Sequence, residues 1–101
     1  GRKDSQIKHL GYRIELGEIE NTRIHIDGID NACVLYDHAN QEITLFYETQ
    51  KEEVDELFIR RNIVNFLPKY MMPSKSIKFD SLPMNSNNKI DRVLLKNNYI
   101  D

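Results

Sequence analysis

The middle of the 101-residue chain contains two apolar runs separated by a short polar stretch. The runs are residues 31–37 (NACVLYD) and 42–48 (EITLFYE), and both are rich in β-branched and aromatic side chains, which favour an extended backbone. The stretch between them, residues 37–41 (DHANQ), consists of turn-forming types. The pattern therefore predicts two adjacent antiparallel strands.

A wide apolar face follows the second run. Six apolar residues lie on or beside one helical stripe: Leu57, Ile59, Ile63, Val64, Phe66 and Leu67. Thr49 and Glu52 have the spacing of a capping box at the start of this segment. Because proline lacks an amide hydrogen and restricts the residue before it, Pro68 is expected to end the helix near Phe66 or Leu67. The pattern predicts a helix packed on a sheet.

The first part of the chain predicts a hairpin and then a helix. In residues 5–14 (SQIKHLGYRI), apolar positions flank polar ones, and Gly11 lies where a turn needs a permissive backbone. The following apolar stripe has a helical period, acidic residues crowd its first turn, and Gly28 supplies a stop. The helix is expected over about residues 15–25, with Glu15, Glu18 and Glu20 facing solvent.

The last part of the chain predicts one more strand and one more helix. Residues 76–83 (SIKFDSLP) alternate well enough for a third strand. Residues 91–99 carry a short apolar stripe and form the final helix, with Asp91 as its N-cap. The predicted fold class is α+β: a small three-stranded sheet with packed helices and an N-terminal β-hairpin.

Composition narrows the classes of partner. Fourteen basic against sixteen acidic residues, and an isoelectric point near 5.9, remove the electrostatic attraction that nonspecific nucleic-acid binders use. The sequence has no apolar stretch long enough to cross a bilayer and no export leader, so no membrane partner is expected. The single cysteine, Cys33, is expected to be buried and inert, which fits a cytoplasmic location. His9, His25 and His38 lack ligand-like spacing, and we predict no metal site.

Two stretches carry candidate chemistry. Residues 1–13 hold four cations against Asp4 alone, which suits phosphate, although on spacing alone an ordinary exposed basic hairpin is the better interpretation. In residues 85–92 (NSNNKIDR), Lys89 lies in an asparagine-rich turn, where a long flexible cation is suited to meet negative charge that develops in a transition state. Taken singly, neither stretch distinguishes an enzyme from a solvated surface.

Three segments together resemble a known family. Residues 1–20 (GRKDSQIKHLGYRIELGEIE), 66–73 (FLPKYMMP) and 82–92 (LPMNSNNKIDR) resemble, in order, signature motifs in the C-terminal subdomain of the adenylate-forming ligases. This superfamily includes acyl-CoA synthetases, peptide-synthetase adenylation domains and luciferases. The resemblance extends over nearly the whole chain. It implies that residues 1–101 are a single C-terminal lid subdomain, with a hinge near residues 1–5 and a large N-terminal ATP-binding domain elsewhere. The absence of an initiator Met agrees with that expectation.

The resemblance also implies a two-step reaction. A carboxylate and ATP, with Mg²⁺, give an acyl adenylate and pyrophosphate, and the acyl group then passes to a thiol. Residues 6–8 and 11–16 are more similar to the amino-acid-activating branch, whose acceptor is the phosphopantetheine of a carrier protein. A D-alanine:carrier-protein ligase is slightly preferred over a peptide-synthetase adenylation domain. The isolated fragment is expected to be inactive, and the alternative is a non-catalytic module that binds a carrier protein or an acidic partner.

The same resemblance assigns roles to individual residues. Lys89 matches the adenylation lysine, which reaches between the substrate carboxylate and the α-phosphate. Arg2 matches a nucleotide contact, and Asp4 matches the hinge residue. Gly11 lies in the loop that lines the pantetheine tunnel, and Lys8 lies on the same hairpin as a structural residue or a weak phosphate contact.

This sequence departs from the family pattern at three positions. Asn88 stands where glycine is usual, and because asparagine tolerates left-handed backbone better than most residues, the turn is expected to survive. Asn85 stands where threonine is common, which places a local hydrogen bond in question. Lys3 stands where an apolar residue is frequent, which is expected to loosen the hinge packing.

Overall fold

Five strands and three helices form the part of the chain that the computed structural model describes, residues 5–100. In chain order they are β1 (Gln6–His9), β2 (Tyr12–Glu15), α1 (Leu16–Asn21), β3 (Asn31–Asp37), β4 (Glu42–Glu48), α2 (Glu56–Ile63), β5 (Lys75–Phe79) and α3 (Arg92–Tyr99). Two short 3₁₀ turns lie at Thr22–His25 and Lys69–Met71. The predicted α+β class is confirmed.

The N-terminal hairpin is as predicted. β1 and β2 pair antiparallel, and Ile7 faces Ile14 across the pair. The tip consists of Leu10 and Gly11, whose φ angles are 53° and 85°. Two consecutive positive φ angles match the right-handed twist of the strands, and glycine adopts such a conformation without strain. Leucine does so rarely, so the tip holds an exposed apolar side chain in an unfavourable conformation.

The main sheet has the order β3–β4–β5. β3 and β4 are antiparallel, as predicted, and Cys33 faces Phe46 in their register. β5 pairs parallel to β4, and α2 provides part of the crossover that a parallel pair requires. β5 ends at Phe79, earlier than predicted, and the chain then leaves the sheet and buries Leu82.

Both faces of the main sheet are covered, which follows from alternation along β3 and β4. On one face, Val34 and Leu45 belong to a core shared with the hairpin, α1 and α2. On the other face, Cys33 and Phe46 pack with Leu95 of α3. Cys33 is fully buried, as predicted.

α1 is shorter than the predicted helix. It ends at Asn21 and continues as the 3₁₀ turn Thr22–His25, where the Thr22 hydroxyl donates to the Ile19 carbonyl (2.6 Å). A Thr side chain that bonds backbone in this way competes with regular helix, which explains the early end. At the other end, the Glu15 carboxylate accepts from the Gly17 amide (3.1 Å) as an N-cap, which agrees with the expected preference of the acids for the helix N-terminus, and the Glu15 side chain is only partly exposed.

The predicted capping box at Thr49 is wrong. The Thr49 hydroxyl donates to the Gly28 carbonyl (2.6 Å) and accepts from the Lys51 amide (3.1 Å), so it closes a turn after β4. α2 begins later, where the Asp55 carboxylate accepts from the Phe58 amide (2.9 Å). Because aspartate is a strong N-cap residue, Asp55 could have been recognised from the sequence as the start of this helix.

α2 also ends earlier than predicted, at Ile63. The next residues form turns in which the Phe66 amide donates to the Ile63 carbonyl (3.0 Å). Ile59 and Ile63 are buried on the sheet, whereas Leu57 and Val64 are more than half exposed. The apolar face of α2 is therefore only partly covered within residues 5–100. The final helix matches its prediction, since the Asp91 carboxylate accepts from the Leu94 amide (3.1 Å).

Candidate functional site

Lys89 lies in a loop that is closed by its own backbone. We call residues 83–91 the lysine loop. Met84 and Ile90 form an antiparallel bridge at its base. The Asn85 amide donates to the Lys89 carbonyl (2.8 Å), and the Asp91 amide donates to the Pro83 carbonyl (2.8 Å). The loop is thus a small hairpin with Lys89 on its returning arm.

The asparagines give the lysine loop its turn. The Asn85 side-chain oxygen accepts from the amides of Asn87 (2.9 Å) and Lys89 (3.1 Å), so the hydrogen bond questioned above is replaced by two. Asn88 has a φ of 61°, in the left-handed region, and its amide donates to the Asn85 carbonyl (3.0 Å). The expectation that Asn88 holds the turn without a glycine is confirmed.

The Lys89 side chain is exposed. Within residues 5–100 the structure gives its ammonium group no hydrogen bond and no ion pair. A cation on a four-carbon stem, held by a structured backbone and unpaired among the described residues, is suited to bind an anion presented from outside them.

An ion pair anchors the end of the lysine loop. Arg92 follows the loop directly, and its guanidinium donates to both carboxylate oxygens of Glu20 (2.6 and 3.1 Å). Glu20 also accepts from the Val34 amide (2.8 Å), and Arg92 Nη1 lies 3.2 Å from Cys33 Sγ. These contacts join α3, α1 and β3 at one point. A bidentate guanidinium–carboxylate pair fixes orientation as well as distance.

Sequence reasoning missed this anchor, and the expectation that Glu20 faces solvent is wrong. Glu20 is the last residue of the first quoted motif, and Arg92 is the last residue of the third. These positions were the signal in the sequence that could have drawn attention to the two residues. The two residues are 72 positions apart, so no local spacing rule pairs them. Of the three acidic residues considered, Glu18 is the one that is exposed.

The hairpin presents two adjacent cations. Lys8 and Arg13 face each other across β1 and β2, and both are exposed. Together with Gln6 and Ile7 they line a recess of about 350 Å³. Like charges directly opposite on a strand pair repel, and neither has an ion-pair partner within residues 5–100. The pair is therefore a basic surface that an external anion would stabilise.

Two aromatic contacts hold the hairpin tip, and we call them the tip clamp. His9 and Tyr12 flank the tip and face each other across the strands. The His9 ring forms a hydrogen bond with the Tyr36 hydroxyl (Nδ1 to oxygen 2.8 Å), and Tyr12 stacks on Tyr70, with ring centroids 3.9 Å apart. Burial, with a smaller contribution from the Asp37 charge, raises the pKa of Tyr36, so this hydroxyl remains protonated near neutral pH. The clamp fixes the position of the hairpin tip, including Gly11, relative to the core.

The predicted site residues are distributed over separate elements. Lys89 lies between β5 and α3, whereas Gly11 and Lys8 lie on the hairpin, and no hydrogen bond or ion pair among the described residues connects the two groups. Arg2 and Asp4 lie outside the described residues. In residues 5–100 no three or more His, Cys, Asp or Glu side chains are grouped to hold a metal ion. No helix in that range has the length and apolar character needed to cross a membrane.

Comparison with known sequences finds that the chain is similar to segments of peptide synthetases. It is 42% identical over 97 residues to bacitracin synthase 3 of Bacillus licheniformis, which covers 94% of this chain and 2% of the relative. It is 40% identical over 98 residues to tyrocidine synthase 1 of Brevibacillus parabrevis, covering 94% of this chain and 9% of that protein. No family model matches the chain.

Comparison with solved structures gives the same answer. A four-domain nonribosomal peptide synthetase, AB3403, solved with AMP and glycine, is 42% identical, with a TM-score of 0.77 over 92% of this chain and 7% of that one. Apo MatB from Rhodopseudomonas palustris is 27% identical, with a TM-score of 0.86 over all of this chain and 21% of MatB. The chain belongs to the adenylate-forming superfamily.

Membership in the adenylate-forming superfamily confirms the resemblance drawn from the three motifs. The matches are consistent with the C-terminal subdomain of these enzymes. The chain spans only a small fraction of each relative, 2% of bacitracin synthase 3 and 21% of MatB.

Proposed function

We propose that the chain is the C-terminal lid subdomain of an amino-acid-activating ligase. In this proposal a large N-terminal domain binds ATP, Mg²⁺ and the amino acid, and residues 1–101 close over them. The amino-acid carboxylate attacks the α-phosphate of ATP, forms a mixed anhydride with AMP and releases pyrophosphate. The phosphopantetheine thiol of a carrier protein then attacks the acyl carbon, forms a thioester and releases AMP.

The main observation that supports the proposal is the environment of the Lys89 side chain. Its ammonium group is exposed and unpaired among the described residues, on a loop that is closed at Met84 and Ile90 and anchored by Arg92. Negative charge increases between the carboxylate and the α-phosphate as the new bond forms. A positioned cation at that point stabilises the transition state by about 3 kcal/mol, the magnitude of one oxyanion donor.

The nucleotide contacts are divided between this chain and the large domain. Lys89 suits a phosphate oxygen as a point charge, and Arg2 is proposed as a second nucleotide contact. Mg²⁺ prefers carboxylate oxygens and water, and residues 5–100 offer no such cluster, so we assign the metal to the large domain. Asp4 is proposed as the hinge, a role that requires changes in φ and ψ rather than a reactive side chain.

The hairpin is proposed to act in the second half-reaction. There Gly11 would line the path of the pantetheine arm, where any side chain would narrow the passage. The tip clamp supports this role because it holds Gly11 in a fixed place, and Lys8 and Arg13 supply a basic surface beside it. A phosphate at the base of the arm is an anion that such a surface would attract.

The relatives favour one branch of the superfamily. Bacitracin synthase 3, tyrocidine synthase 1 and AB3403 are all peptide synthetases. We therefore propose a peptide-synthetase adenylation domain, with a D-alanine:carrier-protein ligase as the alternative. Both activate an amino acid and both transfer it to a carrier-protein thiol.

The proposal is tested with the complete protein by amino-acid-dependent exchange of pyrophosphate into ATP. Exchange is expected with one or a few members of a panel of proteinogenic amino acids, and not with acetate or malonate. Exchange with D-alanine alone would favour the alternative branch. Exchange only with simple carboxylic acids would contradict amino-acid activation, and no exchange together with tight carrier-protein binding would indicate a non-catalytic module.

Replacement of Gly11 by leucine in the complete enzyme separates the two half-reactions. A Cβ at this position meets no atom within 4 Å, so the lid tolerates it apart from roughly 1 kcal/mol of backbone strain at a φ of 85°. Thioester formation on the carrier protein is expected to fall at least about tenfold, equivalent to about 1.4 kcal/mol, while pyrophosphate exchange changes little.

Gln41→Leu is the matched control, because Gln41 is also exposed in a turn with positive φ, 53°, between β3 and β4. It introduces the same side chain at a comparable backbone angle away from the hairpin. Equal loss of both half-reactions in Gly11→Leu, or equal loss of thioester formation in Gln41→Leu, would count against the tunnel assignment.

A further inference from the structure

An apolar groove lies between α2 and the segment that follows the 3₁₀ turn Lys69–Met71. Its volume is about 730 Å³, within the range of pockets that bind ligands or partner side chains. We call it the α2 groove. None of the residues assigned above to adenylation or thiol transfer lines it.

The floor of the α2 groove is apolar. Leu57, in the first turn of α2, and Val64, which directly follows the last residue of α2, are 54% and 56% exposed. Seven helical residues separate them by about 10 Å along the helix axis. Met72 and Pro73, which follow the 3₁₀ turn, also line the groove. The sequence pattern predicted that Leu57 and Val64 would be core residues, and the structure leaves them uncovered by residues 5–100.

The rim of the α2 groove is basic. Arg60, Arg61 and Lys69 line it, and none of them forms a hydrogen bond through its side chain or an ion pair within residues 5–100. Two carboxylates at the start of α2 accept hydrogen bonds from backbone amides. Glu56 accepts from the Ser76 amide (3.2 Å), and Asp55 caps the helix. The rim therefore carries three cations that form no ion pair among the described residues.

We propose that the α2 groove docks an acidic amphipathic helix of a partner protein. The apolar floor extends over two turns of α2, which matches a partner helix with apolar residues at i, i+4 and i+7. Carboxylates beside that apolar stripe would meet Arg60, Arg61 and Lys69, and charge pairs at a partly desolvated rim fix the register of the helix and speed its association. The groove thus recognises a partner by an apolar stripe flanked by acids.

The test uses the full-length protein and three fluorescein-labelled helical peptides of about 18 residues, or five turns. The first has a leucine stripe flanked by glutamate, the second replaces glutamate with lysine, and the third replaces leucine with serine. Fluorescence anisotropy is expected to show that the first binds at least about tenfold more tightly than either of the others, and more weakly as salt rises. No binding of the first peptide, or equal binding of the second, would overturn the proposal.

Variants locate the binding surface. The double variant Arg60→Glu, Arg61→Glu is expected to weaken binding of the acidic peptide at least about tenfold, and Val64→Ser several-fold. Arg23→Glu, at an exposed arginine in the 3₁₀ turn Thr22–His25, is the charge control and should change affinity little. Melting curves check that each variant is folded, and Val64→Ser is the independent variant should the double one unfold.

Two other outcomes would refute the proposal. If Arg23→Glu weakens binding as much as the double variant, the attraction is general and not located in the groove. If vesicles of phosphatidylglycerol displace the acidic peptide and bind more tightly through Arg60 and Arg61, the groove serves a lipid surface rather than a protein helix.

Discussion

Replacing Lys89 by alanine is expected to lower amino-acid-dependent pyrophosphate exchange by the complete enzyme about 100- to 1,000-fold. The magnitude follows from the loss of one charged donor at the atoms where negative charge develops. The fold itself should persist, because the Lys89 side chain is exposed and makes no hydrogen bond or ion pair within residues 5–100. Transfer of the aminoacyl group from a supplied adenylate to the carrier protein should remain within a few-fold of the original rate.

Lys96→Ala is the matched control for this result. Lys96 is an exposed lysine on α3, the helix that directly follows the lysine loop, and its removal changes net charge equally. Pyrophosphate exchange that is unchanged in Lys89→Ala, or that falls equally in Lys96→Ala, would contradict the role assigned to Lys89. Parallel loss of exchange and of thioester transfer would point instead to a general defect in lid closure.

Replacing Arg92 by alanine is expected to free the end of the lysine loop. The change removes two hydrogen bonds to the Glu20 carboxylate, whose side chain is 13% exposed. Fewer hydrogen bonds then offset the free-energy cost of burying that charge. A partly buried pair of this kind is worth about 2 kcal/mol. In hydrogen–deuterium exchange of the complete protein, the Asn85 and Asp91 amides should therefore open roughly 30-fold more often, the factor equivalent to that free energy.

Glu20→Gln and a double-mutant cycle define the origin of this effect. Glutamine keeps an acceptor for the Val34 amide, so Glu20→Gln should increase the opening of the Asn85 and Asp91 amides less than Arg92→Ala does. The double variant Arg92→Ala, Glu20→Ala should cost less than the sum of the two single changes, because both remove the same pair. Unchanged protection of the two amides in Arg92→Ala, or strict additivity in the cycle, would show that the ion pair does not hold the loop.

Local patterns in the sequence were sufficient for most of the fold. β3 and β4 were predicted from their composition and the turn between them, and the hairpin was predicted from apolar positions around Gly11. Asp91 was recognised as an N-cap because that interaction reaches only three residues along the chain. Each of these features depends on neighbours in sequence, which is the information that periodicity and propensity contain.

The errors arose where distant residues decide the outcome. Thr49 and Glu52 have capping-box spacing, but the Thr49 hydroxyl bonds Gly28, 21 residues away. The Glu20–Arg92 pair links positions that are far apart, and periodicity says nothing about it. The exposure of Val64 depends on where α2 ends relative to the sheet, which helix spacing does not determine.

The candidate site was predictable only in part. The position of Lys89 in a turn and the left-handed conformation of Asn88 followed from residue types. The tip clamp did not, because it requires Tyr36 of β3 and Tyr70 of the 3₁₀ turn to meet the hairpin in three dimensions. Motif matching selects candidate residues by type and position in the sequence, whereas the contacts between them are found from the structure.

The internal hydrogen bonds of the lysine loop determine how much conformational entropy Lys89 loses when it binds. Bonds through Asn85 already restrict the backbone, so binding an anion freezes little beyond one side chain, at most about 2 kcal/mol. Ordering the same stretch from a flexible chain would cost about 1–2 kcal/mol for every residue. On the function proposed above, a lid that engages and withdraws its lysine once in each catalytic cycle would avoid a repeated folding step in the loop that carries it.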